Sequence, residues 1–244
     1  MNLAIDIGNT LVKLAVFENG KMTSLEILEE LTLPALELFE ESHPGIASAI
    51  LASVKDFPPE IQVYLRENHS FIEFNSLMPV PISSLYASPA TLGADRLASA
   101  VAAHALMPSQ NILVVNAGTA ITYDLVTDAG VHLGGAISPG LIMRFRALHT
   151  FTGRLPLLDE INDAPLTGKS TTESILSGVL NGTLAEVDGM IERYSLIYPG
   201  LKTVLSGGDN NYFDKRLKNK TFAIPNLVLT GLNNILDYNL EKSL

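Results

Sequence analysis

The chain has 244 residues, of which 47% are apolar and 17% charged, which indicates one or two globular domains and excludes a disordered protein. The net charge of −10, with no basic block, argues against a nucleic-acid partner, because phosphate binding needs clustered Lys and Arg. The lack of cysteine excludes disulfides, thiol chemistry and zinc–thiolate sites.

The N-terminal sequence leads directly into a strand-like run, without the basic and apolar regions of a signal peptide. Gly, Pro, Asp or His interrupts the apolar stretches before they reach the roughly 20 residues of a membrane span. We therefore expect a cytoplasmic protein with no membrane partner.

The first half of the sequence mixes strands and helices. Apolar runs predict strands at 1–7, 11–17, 22–27, 47–54 and 70–74. Helical spacing of apolar residues predicts helices at 33–41, 58–68 and 95–106. Asn19-Gly20 predicts a two-residue hairpin turn, and the Pro- and Ser-rich stretch at 78–89 predicts a loop.

The second half repeats this plan. Apolar runs predict strands at 111–116, 121–126, 131–137, 203–205 and 227–229. Helices are predicted from 140 to about 149, over 171–198 and at the C-terminus. The pattern predicts a mixed α/β protein with domains at 1–109 and 110–244, and the last helix could pack back across the boundary.

Two short segments, 4–10 and 115–120, resemble each other. Each follows an apolar run and contains Asp or Asn, then Gly and then Thr, before another apolar run. Glycine lets the backbone approach an oxygen closely, and the following N–H and hydroxyl groups can donate to it. The pair suggests a duplicated domain that grips one polyphosphate. The alternative is two ordinary hairpins, the first with Asn9 in a left-handed conformation.

In the first turn, Gly8, Asn9 and Thr10 would donate to phosphate oxygens. Asp6 would face the coordination shell of a magnesium ion, and Lys13 could supply a point charge.

A loop leads into a helix at Tyr86–Arg96. Phosphoryl transfer to an alcohol needs a carboxylate that takes the hydroxyl proton, and it gains from a nearby cation. Asp95 and Arg96 supply these two groups. The alternative is that Asp95 is simply a helix-start carboxylate that the helix dipole favours.

Three further segments have both a binding and a structural interpretation. The backbone at 134–140 could approach either a ligand or a neighbouring strand. The hydroxyl groups at 168–171 could bind a ligand or cap a helix, and capping is the simpler account. The Gly pair at 207–208 could accommodate a nucleoside or form a turn. The five histidines lack the spacing of metal ligands.

Taken in order, these motifs resemble those of the type III pantothenate kinase family. The matching segments are Asp6–Thr10, Tyr86 to Arg96 with Pro89 and Gly93, Gly118–Ala120, Gly134–Gly140, Leu148–Pro156, Gly168–Thr171, Ser206–Gly208 and Gly231-Leu232. Each motif alone is weak, but the ordered set covers nearly the full length.

The resemblance implies an α/β fold of two ribonuclease-H-like domains, the acetate and sugar kinase/Hsp70/actin superfold, with ATP in the cleft between them. It implies the ATP-dependent phosphorylation of pantothenate to 4′-phosphopantothenate, the first step of coenzyme A biosynthesis. It also implies a homodimer, Mg²⁺ with ATP, and a monovalent cation, K⁺ or NH₄⁺.

By the same resemblance, Asp95 is the general base for the pantothenate hydroxyl. The implied pantothenate-binding residues are Tyr86, Gly93, Ala94, Asp95, Arg96 and Thr171. The implied ATP-binding residues are Asp6, Ile7, Gly8, Asn9, Thr10, Leu11, Val12, Lys13 and Thr119. Asp6 is also the candidate magnesium ligand.

Two positions depart from the family pattern. Asn116 stands where the family carries the Asp that binds the monovalent cation, so the position keeps an amide oxygen but loses a charge. Three outcomes stay open for this cation site: weaker binding, no binding, or completion by another residue. Ser170 replaces a helix-start Asn. Two alternative functions stay open: another small-molecule kinase of the same superfold, or a non-catalytic ATP-binding regulator.

Overall fold

The computed structural model describes residues 1–242, which form two compact units. The first contains Met1–Pro108, Gly130–Leu133 and the chain from Asn226 onward, and the second contains Ser109–Ala129 and Gly134–Pro225. The C-terminal helix therefore belongs to the first unit, although it follows the second in sequence. No helix within residues 1–242 combines the length and apolar character needed to cross a membrane.

The first unit is built on a five-stranded sheet in the order β3-β2-β1-β4-β5. Its strands are β1 (Asn2–Ile7), β2 (Val12–Glu18), β3 (Lys21–Leu28), β4 (Ser48–Ser53) and β5 (Ser70–Glu73). β1 pairs with β2 antiparallel and with β4 parallel. β1 and β4 are central strands with almost wholly buried side chains, which explains their continuous apolar runs.

The helices of this unit are α1 (Leu33–Glu41), α2 (Pro59–Asn68), α3 (Ala94–Leu106) and α8 (Leu227–Lys242). A Cβ atom at Gly231 would lie 1.9 Å from the Ala98 carbonyl oxygen, so a glycine is required where α8 packs against α3. The two-residue strand β6 (Ser83–Ser84) pairs with Val131 and His132.

The second unit carries a sheet in the order β11-β10-β7-β8-β9. Its strands are β7 (Ile112–Ala117), β8 (Ala120–Val126), β9 (Val131–Pro139, which starts in the first unit), β10 (Lys202–Ser206) and β11 (Phe222–Ala223). Its helices are α4 (Leu141–Thr150), α5 (Thr171–Leu176), α6 (Gly182–Ile197) and α7 (Asn210–Asp214). A π-helical turn, Ser177–Asn181, joins α5 to α6.

One predicted strand is wrong. Leu227–Leu229 forms the first turn of α8, and the short strand nearby is Phe222–Ala223. Three apolar residues fit a buried helix turn as well as a strand, and burial of Leu232 and Leu236 favours the helix. β6 and α7 were not predicted. The other predicted elements agree with the structure to within two residues at each end, and the predicted helical stretch 171–198 is α5, the π-helical turn and α6.

Candidate active site

The first glycine turn joins β1 to β2. The Gly8 N–H donates to the Leu11 carbonyl oxygen at 3.0 Å, and a Cβ atom at Gly8 would lie 3.0 Å from the same oxygen. Asn9 and Thr10 are exposed. The non-glycine residues with positive φ within 1–242 are Asn19, Ser109 and Asn226, so the left-handed alternative for Asn9 is wrong. Asn19-Gly20 forms the predicted hairpin turn.

The turn is flanked by two buried side chains and two charged ones. Ile7 and Val12 are buried in the core, so any contact they make with ATP would use their backbone groups. Leu11 is exposed at the turn. Asp6 and Lys13 lie opposite each other in the register of β1 and β2. The strand pairing therefore places a carboxylate and an ammonium group beside the turn.

Asp6 lies in a negatively charged and dehydrated environment. Burial, followed by the negative charge of Asp95, raises the pKa of Asp6 from 3.8 to about 6, and the Lys13 ammonium partly opposes this rise. The structure thus brings Asp6, Lys13 and Asp95 close enough for their charges to interact. A cation placed near the two carboxylates would lower the free-energy cost of ionising Asp6.

Asp95 lies in the first turn of α3, after Gly93 at the N-cap. A Cβ atom at Gly93 would lie only 2.5 Å from Asp95 Oδ1, so the missing side chain makes room for the carboxylate. Ala94 is the first helical residue and is half-buried. The helix dipole favours an acidic residue here, so this position fits both the structural and the catalytic interpretation of Asp95.

Arg96, the next residue, is 5% exposed. Its guanidinium carbon lies 5.5 Å from the centroid of the Tyr86 ring, within reach of a cation–π interaction. The buried His132 ring stacks on the Tyr86 ring, with ring centroids 6.3 Å apart. Ser84 Oγ lies 3.1 Å from His132 Nδ1. These contacts fix the loop that carries Tyr86. No local sequence pattern links His132 to Tyr86, so this contact could not be predicted from the sequence.

The second glycine turn joins β7 to β8. The Gly118 N–H donates to the Ala120 carbonyl oxygen at 3.1 Å, and Thr119 is exposed. The backbone N–H groups of Gly140 and Asp209 donate to the carbonyl oxygens of Thr119 and Ala117 at 3.1 and 3.0 Å. Backbone segments that follow β9 and β10 therefore hold the turn in place.

Glycine makes these contacts possible. A Cβ atom added to Gly140 would lie 2.0 Å from the Gly118 carbonyl oxygen. A Cβ atom added to Gly207, where φ is +97°, would lie 2.1 Å from the Ala117 carbonyl oxygen. At Gly135 it would lie 1.5 Å from the Tyr123 carbonyl oxygen on β8. For these glycines the structure favours close backbone packing. Among the described residues, no atom lies within 4 Å of a Cβ built on Gly118, so that glycine faces open space.

Asn116 is half-buried near the end of β7. It lies opposite Thr122 on β8 and Ser206 on β10. The Thr122 hydroxyl is buried and has no hydrogen-bond partner within residues 1–242. Asn116 thus presents an amide between two strands whose facing side chains carry hydroxyl groups.

Thr171 lies in a different part of the second unit. Ser170 caps α5 by accepting from the Glu173 N–H at 3.2 Å, while Glu173 Oε2 accepts from the Lys169 N–H at 2.6 Å. The capping interpretation of this segment is therefore confirmed. Thr171 is exposed and also lines a cavity of about 760 Å³, together with Leu148, Leu155, Gly168, Lys169, Ser170, Ser174, Ile175 and Gly178.

The side chains within residues 1–242 include no group of three or more His, Asp or Glu that could hold a metal ion. Two carboxylates suit Mg²⁺, which usually keeps several waters and binds through one or two carboxylates and the phosphates of a nucleotide. Asp6, with the negative charge of Asp95 nearby, therefore fits a magnesium site that is completed by water and nucleotide phosphates better than a site made of protein ligands alone.

Comparison with known proteins identifies the family. Residues 2–193 match the family model described as type III pantothenate kinase. Curated type III pantothenate kinases from Christiangramia forsetii and Bacteroides fragilis are 42% and 43% identical over 240 residues, which cover 98% of this chain and 99% and 98% of theirs.

A solved structure shares the fold. The ROK family glucokinase from Streptomyces griseus, in complex with glucose and AMPPNP, aligns with a TM-score of 0.55 and 9% identity over 97% of this chain and 99% of its own. This likeness and the two α/β units confirm the predicted α/β fold.

Proposed function

The chain belongs to the type III pantothenate kinase family, and from this we propose that it transfers the γ-phosphoryl group of ATP to pantothenate, the first step of coenzyme A biosynthesis. The observation that carries the proposal is the position of Asp95 in the first turn of α3, where Gly93 leaves room for its carboxylate and its negative charge raises the pKa of Asp6. This position supports Asp95 as the proton acceptor and the turn after β1 as the phosphate-binding segment.

In the proposed reaction, the primary hydroxyl oxygen of pantothenate attacks the γ-phosphorus of ATP. The bond from that phosphorus to the β–γ bridging oxygen breaks, ADP leaves, and the hydroxyl proton passes to Asp95. The absence of a side chain at Gly93 leaves the Asp95 carboxylate room at the start of α3. Holding the base in place lowers the entropic cost of the transition state.

Charge neutralisation is the second requirement. Asp6, with Asp95 nearby, would hold the Mg²⁺ that accompanies ATP, which neutralises charge on the phosphates. The backbone of residues 7–12, the Asn9 and Thr10 side chains and the Lys13 ammonium would bind the phosphates. The raised pKa of Asp6 supports this assignment, because a bound cation would favour the ionised carboxylate.

Arg96 and Tyr86 would bind pantothenate. The carboxylate of pantothenate would pair with the Arg96 guanidinium group. Arg96 is buried and contacts the face of Tyr86, and His132 supports Tyr86 from within the unit. We extend the assignment to Gly93 and Ala94 for pantothenate, to Thr171 beside its cavity, and to Thr119 for ATP, as the family resemblance implies.

We also propose a weak monovalent-cation site at Asn116. An amide oxygen can still ligate K⁺ or NH₄⁺, but it attracts the cation less than a carboxylate would. The half-buried position of Asn116 between Thr122 and Ser206 supplies further oxygen atoms nearby.

A homodimer and a cytoplasmic location complete the proposal. The side chains of Phe151 and Leu166 are 85% and 83% exposed, close in sequence to residues that line the Thr171 cavity. Exposed apolar side chains of this size suit a subunit interface. Light scattering on the purified protein tests this part, and a monomer at assay concentration would contradict it.

The test of the reaction is an assay with Mg-ATP and a panel of alcohols that includes pantothenate, glucose and small hydroxy acids. We expect formation of phosphopantothenate and ADP in equal amounts, with pantothenate as the preferred acceptor. Preferred turnover of a sugar or small acid would instead support another kinase of the superfold. Nucleotide binding without phosphorylation of any acceptor would support a regulator.

A further inference from the structure

Lys13 contacts a residue that no motif of the sequence singled out. Its Nζ donates to Oδ1 of Asn226 at 3.2 Å, across a separation of 213 residues. Asn226 comes directly before α8 and lies in the same compact unit as Lys13. The C-terminal segment thus reaches back to the strand that follows the first glycine turn.

The backbone holds Asn226 in a fixed position. Its φ is +54°, its carbonyl oxygen accepts from the Thr230 N–H at 3.2 Å, and the next residue, Leu227, is fully buried. Left-handed backbone favours Gly, Asn and Asp. Of these three, glycine offers no acceptor and aspartate would neutralise the lysine, so only asparagine combines this backbone with a neutral acceptor.

A neutral acceptor matters because of the surrounding charges. Lys13 lies opposite Asp6 in the strand register, and Asp6 senses the charges of both Lys13 and Asp95. A flexible lysine beside two carboxylates can turn toward them. The Asn226 amide offers the ammonium group a fixed partner that leaves its positive charge intact.

We propose that Asn226 is a positioning residue for Lys13, whose amide oxygen holds the ammonium group ready to bind the phosphates of ATP. The inference rests on the proposed function, since it assigns Lys13 to the nucleotide. It predicts that the effect of Asn226 on nucleotide binding passes through Lys13.

The test is a double-mutant cycle with Asn226→Gly and Lys13→Met, read by titration with Mg-AMPPNP and by steady-state kinetics. Glycine keeps the left-handed backbone, so the fold should be retained. Loss of one hydrogen bond to a charged group should weaken nucleotide affinity and raise the KM for ATP by about 3- to 10-fold, with kcat much less affected. In the Lys13→Met background, Asn226→Gly should have no further effect.

Asn226→Asp is the second variant. Its carboxylate would form an ion pair with Lys13 and offset the positive charge that attracts the phosphates. Nucleotide affinity should therefore fall further than in Asn226→Gly. Asn19→Gly is the matched control, because Asn19 has a similar φ of +50° but lies in the β2–β3 hairpin. It should bind nucleotide like the wild type.

Two results would overturn the inference: unchanged nucleotide affinity in Asn226→Gly, or an equal loss with and without Lys13. A wild-type protein that binds nucleotide but does not phosphorylate pantothenate would contradict the proposed function alone. The nucleotide titration needs no pantothenate, so the two failures can be told apart.

Discussion

The two glycine turns share a sequence pattern but differ in their surroundings. The turn after β1 has charged neighbours, since Asp6, Lys13 and Asp95 interact there. The turn after β7 is held by backbone hydrogen bonds from Gly140 and Asp209, and the polar residue before it is the neutral Asn116. Substitutions near the first turn should therefore change chemistry and pH dependence, while substitutions of the closely packed glycines at the second turn should act mainly through packing.

The largest expected effect is at the charged turn. Asp95→Asn removes the proposed proton acceptor but keeps the size of the side chain. We expect kcat for pantothenate phosphorylation to fall by about 10³-fold or more, with the affinity for Mg-AMPPNP largely kept. Turnover and nucleotide titration measure the two quantities, and wild-type turnover in this variant would remove Asp95 from its role.

The next largest effect is at the packed turn. Gly140→Ala would place a methyl group 2.0 Å from the Gly118 carbonyl oxygen, so the backbone must move. We expect a loss of about 3 kcal/mol in the free energy of unfolding.

Urea unfolding measures this loss. The matched control is Gly189→Ala in α6, where, among the described residues, a Cβ would meet no atom within 4 Å. Because alanine favours a helix over glycine, the control should be slightly more stable than the wild type. Equal stability of the two variants would contradict the packing account of the second turn.

The buried charge of Asp6 at the first turn should also lower the free energy of unfolding. The pKa of Asp6 is about 6 in the folded protein and 3.8 as the ordinary value, so ionisation opposes folding at high pH. That cost is complete above about pH 6 and absent below about pH 4. Without nucleotide or Mg²⁺, Asp6→Asn should be more stable than the wild type by about 1–3 kcal/mol at pH 8.

Denaturant unfolding at several pH values tests this prediction. The advantage of Asp6→Asn should shrink steadily as the pH falls from 6 to 4. A variant that is less stable than the wild type at pH 8 would show that Asp6 makes a favourable contact that outweighs its burial.

The smallest expected effect concerns the neutral residue at the second turn. Asn116→Asp restores a carboxylate, so half-maximal activity should need about 3- to 10-fold less K⁺ than in the wild type. Kinetic titration with KCl, at ionic strength kept constant with a large organic cation, measures the change. If both proteins give the same titration curve, Asn116 is not part of a cation site.

Much of the fold could be predicted because apolar spacing specifies local structure. The buried runs of β1 and β4 and the helix at 33–41 follow from their own residues. The prediction failed at Leu227–Leu229, where a short apolar run fits a strand and a helix equally well. Packing of α8 within the first unit decides between them, and no local pattern carries that information.

By itself the sequence determined the family, the fold class and the positions of the two glycine turns, because these depend on motifs within a few neighbouring residues. Tertiary structure alone decided that His132 lies against Tyr86, that Gly140 and Gly207 pack on one turn, and that Asn226 contacts Lys13. Each of these contacts joins residues distant in the chain. Their energies depend on the distances and burial that the folded chain creates.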